Sequence, residues 1–149
     1  MLTYRFLKKL FPVTRGIEDD TIQFQHLFVH PLQAAAKGLF VPLRYEHKEL
    51  QQAIENGAVA ALWKKTVPLP AYVPNQFPVF FVSSPLQALT EIVETYLQSD
   101  EMENDKMTRF YLNIEGAHIE ENHSYHIAVI DVLKQLEQRL QEEGGGQSC

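Results

Sequence analysis

The 149-residue sequence predicts an α/β fold, a three-layer sandwich around a mostly parallel sheet. Three observations lead there. A helical pattern over residues 47–56, with Leu50, Ala53 and Ile54 on one face, runs through Asn56-Gly57 into the apolar run Ala58 to Trp63. That run is continuously apolar instead of alternating, the mark of a strand buried on both faces. A second apolar strand, Val79 to Val82, leads directly into a second helix at Pro85. Strands that alternate with helices pack as helices over a parallel sheet, joined by right-handed crossovers.

The elements follow in chain order. Residues 3–11 form a short amphipathic helix that Thr3 caps, with Phe6, Leu7, Leu10 and Phe11 at helical spacing and Pro12 as its stop. Its basic side, Arg5, Lys8 and Lys9, faces solvent while the apolar side packs on the core. Thr21 to Val29 is a strand that ends at Pro31, and Gln33 to Ala36 is a loop or a single helical turn. Leu39 to Leu43 is a strand, and Pro42, which lacks an N–H, places it at an edge or a bulge. Gly57 stops the helix over residues 47–56. Four prolines make residues 66–78 an extended, exposed loop. Ser84 caps the next helix, Pro85 takes its first position, and Gln87 completes a capping box. Leu86, Leu89, Val93 and Tyr96 follow at helical spacing. Residues 99–106 form an acidic loop and residues 107–114 a strand. Residues 124–143 form a long helix striped by Val129, Ile130, Leu133, Leu136 and Leu140. Residues 1–143 thus read as one α/β domain, and residues 144–149 as a flexible tail.

Composition narrows the function. Nineteen acids against 13 bases give a net charge of −6, which argues against nucleic acid as a partner. No stretch approaches the roughly 18 apolar residues of a membrane span. The only cysteine is Cys149, so no internal disulfide forms and a cytoplasmic setting is expected. Neither G-x-x-x-x-G-K-S/T nor G-x-G-x-x-G occurs, so no phosphate loop is recognisable and no cofactor is expected.

His118, His123 and His126, beside Glu115, Glu120 and Glu121, are weak metal candidates. They match no established ligand spacing, and an exposed polar helix start is the plainer reading. Ser83 and Ser84 end a buried strand, where open α/β sheets bind ligands, although capping alone explains Ser84. Trp63 either stacks on a base or sugar or, more plainly, plugs the rim of the core. No catalytic residue is nominated.

Residues 38–63 carry Gly38-Leu39-Phe40-Val41-Pro42-Leu43, then His47, then Ala53-Ile54-Glu55-Asn56-Gly57-Ala58 and the strand to Leu62. This order resembles the N-terminal, UDP-binding-type domain of the Mur ligases, the ATP-dependent ligases that extend UDP-N-acetylmuramoyl peptides. There an L-F-V-A-L strand precedes a D-G-H element, a helix ending A-x-x-x-G-A and a buried strand. Pro78 to Tyr96 resembles the family's next strand and helix, so the likeness covers about residues 20–98. Two elements depart. His30-Pro31-Leu32 stands where the family carries Asp-Ser-Arg, and only His47 remains of Asp-Gly-His. The family's G-T-N-G-K-T-type loop has no counterpart after residue 98.

The resemblance implies a stand-alone, non-catalytic binding or regulatory module linked to cell-wall precursor metabolism. A UDP-linked small molecule would lie against Arg44, His47, Ser83 and Ser84, with Arg44 on a phosphate. An alternative is an interaction module, joining another protein or itself, if the stripe of the last helix is only half covered. A small metal-dependent enzyme using the histidines ranks third.

Overall fold

A computed structural model describes residues 1–44, 46–99, 107–112 and 127–141. In chain order the elements are β1 (Leu2–Thr3), α1 (Tyr4–Leu10), β2 (Thr14–Arg15), β3 (Gln23–Phe24), β4 (His26–Phe28) and β5 (Gly38–Phe40). There follow α2 (Glu49–Glu55), β6 (Ala58–Lys64), β7 (Val79–Val82), α3 (Pro85–Leu97), β8 (Arg109–Tyr111) and α4 (Ile127–Arg139). Six strands make one sheet in the order β2-β7-β6-β5-β4-β8. From β7 to β8 every neighbouring pair is parallel, and only β2 runs antiparallel, on the β7 edge. The predicted α/β class with a mostly parallel sheet is what the structure shows.

Side-chain alternation along the strands explains the layers. Leu27, Val29, Leu39, Val41, Leu62, Phe80 and Val82 point to one face, which α1, α3 and α4 cover. Phe28, Phe40, Ala61, Trp63 and Val79 point to the other, under α2 and residues 66–78. Strands buried on both faces have no polar side to show, hence the unbroken apolar runs. The α2 crossover moves from β5 to β6, and the α3 crossover moves back across the sheet from β7 to β8. Crossovers of one hand running in opposite directions place their helices on opposite faces.

Thr3 and Ser84 cap their helices as expected, without a return bond from Ser84 N to the Gln87 side chain to complete a capping box. The Thr3 hydroxyl accepts from Phe6 N at 3.1 Å, and α1 buries Tyr4 and Leu7 on the core. Its basic side is solvated as expected, with Lys8 paired to Glu18 at 2.7 Å. Ser84 caps α3, whose buried face comprises Ala88, Leu89, Ile92, Val93, Tyr96 and Leu97. Along α4, Leu133 and Leu136 are buried, and Val129, Ile130, Val132 and Leu140 pack against the same core.

Four expectations are corrected. The strand over residues 21–29 is two strands: β3 joins β1 in a separate ribbon, and β4 enters the main sheet. The strand over residues 39–43 stops at Phe40 in the middle of the sheet, so Pro42 lies beyond the ladder instead of at an edge. Residues 66–78 are a loop that is exposed only in part, at Thr66, Pro68, Ala71 and residues 74–76. They lack regular structure but bury Val73 and Phe77, because α2 alone does not cover that face. Finally, β2 has no counterpart in the predicted elements. Gly16, at φ +90° and pressed on the Phe77 carbonyl, helps hold this two-residue strand, and Arg15 donates to Pro74 O at 3.2 Å.

Two glycines are required at the amino end of the sheet. Gly57 has φ +122°, and a Cβ there would lie 2.4 Å from the Ala35 carbonyl oxygen. A Cβ on Gly38 would lie 2.6 Å from the same oxygen. Residues 33–37 therefore close directly over the starts of β5 and β6, with Ala35 N donating to Asn56 O at 2.8 Å.

Candidate functional site

The carboxyl ends of the parallel strands bring together the chemistry-bearing side chains. Val82 ends β7, and Ser83 and Ser84 follow before α3 begins. Lys64 ends the neighbouring β6, and Lys65 N donates to Val82 O at 2.9 Å, tying the two strand ends together. Between these ends and the end of α1 lies an open cleft of about 350 Å³. Its polar lining is Lys65, Ser83, Ser84, Gln87 and Glu91. Its apolar lining includes Phe11, Pro12, Val13 and Phe81, of which Val13 is 65% exposed.

Ser83 is exposed at the cleft wall. The Ser84 hydroxyl accepts from Gln87 N at 3.3 Å, so it serves as the cap the sequence predicts. A hydroxyl that accepts still carries a proton to donate.

Arg44 and His47 do not line this cleft. They belong to the connection from β5 to α2, and β6 lies between β5 and β7. Arg44 is already engaged: its guanidinium lies 2.5 Å from Glu49 Oε2 and 2.6 Å from Glu46 Oε2. Burial pushes the Glu49 carboxyl above its usual range, and the neighbouring Arg44 only partly opposes that. A cation held by two carboxylates is poorly placed to neutralise a phosphate as well. The exposed His47 sits edge-on to Tyr72, with ring centroids 5.2 Å apart. The Tyr72 hydroxyl donates to His47 O and accepts from Gln51 N at 3.1 Å, pinning residues 66–78 to the start of α2. Burial also raises the Tyr72 phenol, so it stays protonated and available as that donor. The four residues expected from the sequence thus fall into two groups, Ser83 and Ser84 at the cleft and Arg44 and His47 in the β5–α2 connection.

A second feature was not legible in the sequence. The strand order runs from β4 through β7 in one direction, and β8 then falls on the far side of β4. That reversal is a topological switch point, where open α/β sheets form a crevice. His30, at the β4 side of it, is 6% exposed. Its Nδ1 accepts from Leu32 N at 3.2 Å, which puts the proton of a neutral ring on Nε2. His30-Pro31-Leu32 thus forms a tight turn, with Gln33 N donating to His30 O at 3.0 Å and Asn56 Nδ2 to Pro31 O at 3.1 Å.

Trp63 takes the plainer of its two roles. It is 2% exposed and donates from Nε1 to Val67 O at 3.0 Å, so it plugs the core. His118, His123 and His126 lie outside the described residues. No helix among the described residues is long and apolar enough to cross a membrane.

In an alignment 103 residues long that covers 63% of the chain, it is 39% identical to the UDP-N-acetylmuramoyl-tripeptide--D-alanyl-D-alanine ligase of Bacillus subtilis (strain 168). It spans 22% of that ligase. No protein-family profile and no solved structure matches the chain. The α/β fold with its six-stranded, mostly parallel sheet is consistent with a Mur ligase N-terminal-like domain.

Proposed function

We propose that this chain is a non-catalytic binding or regulatory module, related to the substrate-binding domain of the Mur ligases and tied to peptidoglycan precursor metabolism. Its ligand is a UDP-linked small molecule. The observation that carries this reading is the 39% identity over 103 residues to a ligase whose name specifies a UDP-N-acetylmuramoyl tripeptide substrate. The cleft beside Ser83 and Ser84 supports it, because ligands of open α/β sheets sit outside the carboxyl ends of the strands. Arg44 and His47 then hold the β5–α2 connection in shape, and Ser83 and Ser84 donate hydrogen bonds to the ligand.

An interaction module is the second reading: along the α4 stripe Leu133 and Leu136 are buried, while Val129, Ile130 and Leu140 are only partly covered. Titration calorimetry with UDP and with UDP-N-acetylmuramoyl-tripeptide tests the proposal. Saturable heat with the tripeptide ligand is expected, and no heat from either ligand at millimolar concentration removes it.

A further inference from the structure

The resemblance would put the ligand's phosphate on Arg44, but Arg44 is held by Glu46 and Glu49 and does not line the cleft. An anionic ligand beside Ser83 therefore needs another cation. Lys65 is the cationic side chain in the cleft lining, and it is exposed. No carboxylate among the described residues is within ion-pair distance of it. Its position is fixed from below. Its backbone N–H is bonded to Val82 O, so the residue is anchored at the joined ends of β6 and β7, one residue from Ser83.

We infer that Lys65 is the charge-selecting residue of this cleft, receiving an anionic oxygen of the ligand beside the Ser83 hydroxyl. The inference rests on the ligand reading above and names the group that recognises the anion. Glu91, on α3, is the opposing charge in the same cleft. With a cation near the strand ends and a carboxylate one helical turn beyond Gln87, the cleft is polarised. An anionic group is drawn to the Lys65 end and repelled from the Glu91 end. The wall of Phe11, Pro12, Val13 and Phe81 leaves the ligand's less polar body an apolar surface to lie on. Phosphate and carboxylate share the required chemistry, and the choice of ligands separates them.

The test is titration of the full chain with UDP, uridine and UDP-N-acetylmuramoyl-tripeptide, for wild type and variants. Lys65→Glu should weaken binding roughly tenfold or more, Lys65→Arg should largely preserve it, and Glu91→Gln should tighten it about twofold. The affinity should fall with added salt in wild type and lose most of that dependence in Lys65→Ala. Lys37→Glu, the same charge change at the amino end of the sheet, should leave affinity unchanged. If Lys65→Glu weakens UDP but not uridine, the anion is a phosphate. If it weakens only the tripeptide ligand, the anion is a carboxylate of the peptide. Wild-type binding that Lys65→Glu leaves intact overturns the inference and spares the ligand reading. No wild-type binding to any of the three removes the ligand reading, and the inference with it. Because Lys65 is exposed, its variants should fold, and circular dichroism on the same samples checks that.

Discussion

The two ends of the parallel sheet are built on opposite principles. At the amino end, residues 33–37 press on Gly38 and Gly57 so closely that neither position has room for a Cβ. At the carboxyl end the connections stand apart around an open cleft of about 350 Å³. Backbone packing closes one end, and side-chain chemistry (a lysine, two serines and a carboxylate) lines the other. Changes at the first end should therefore be read in stability, and changes at the exposed side chains of the cleft chiefly in binding.

The largest expected effect is at the closed end. Gly57→Ala adds a Cβ 2.4 Å from the Ala35 carbonyl oxygen at φ +122° and should cost about 3 kcal/mol of stability, read from urea unfolding. A loss under about 0.5 kcal/mol would break the contrast between the ends.

Next comes Arg44→Ala, which strips the guanidinium from the buried Glu49 and should cost about 2 kcal/mol near neutral pH. The pH dependence adds a sign. Burial raises the Glu49 pKa in the folded state. Its contribution is therefore fully present below the unfolded carboxylate pKa and is lost as pH rises through the elevated value. Glu49→Gln should remove that loss, so its urea midpoint falls less than the wild type's as pH rises from the acid range toward neutrality. A midpoint difference that does not vary with pH would contradict this assignment.

A smaller effect is expected at the open end. Ser84→Ala removes the α3 cap and should cost about 1 kcal/mol. Smallest of all in stability is Lys65→Glu, an exposed change that should stay within about 0.5 kcal/mol while altering affinity. A substitution at Lys65 that unfolds the protein would erase the distinction between the two ends.

What the sequence revealed follows the same division. β6, β7 and α3 were legible because burial on both faces leaves an unbroken apolar run, and because Ser84, Pro85 and Gln87 form a local capping signal. Thr3 was legible for the same local reason. The position of β8 beside β4 was not, since no local pattern encodes which edge a strand joins. Nor was β2, a two-residue strand without periodicity. The burial of Val73 and Phe77 depended on a face that α2 leaves open, which is a tertiary fact.

The candidate site was legible only in part. Ser83 and Ser84 stand at the cleft because strand ends and helix starts are local features. Arg44 looked available because its partners lie on a later turn of chain whose geometry brings Glu49 back to it. The aromatic beside Lys65, Trp63, is core, and Lys65 itself belongs to no motif. The available signal was its place immediately after a buried strand, the same signal that picked out Ser83.

Amide NMR of the labelled chain, titrated with UDP-N-acetylmuramoyl-tripeptide, tests the central claim most directly. Saturable shifts at Lys65, Ser83, Ser84 and Gln87, with Gly38 and Gly57 unmoved, are predicted. Shifts centred on the glycine-packed amino end, or no shifts at millimolar ligand, would contradict it.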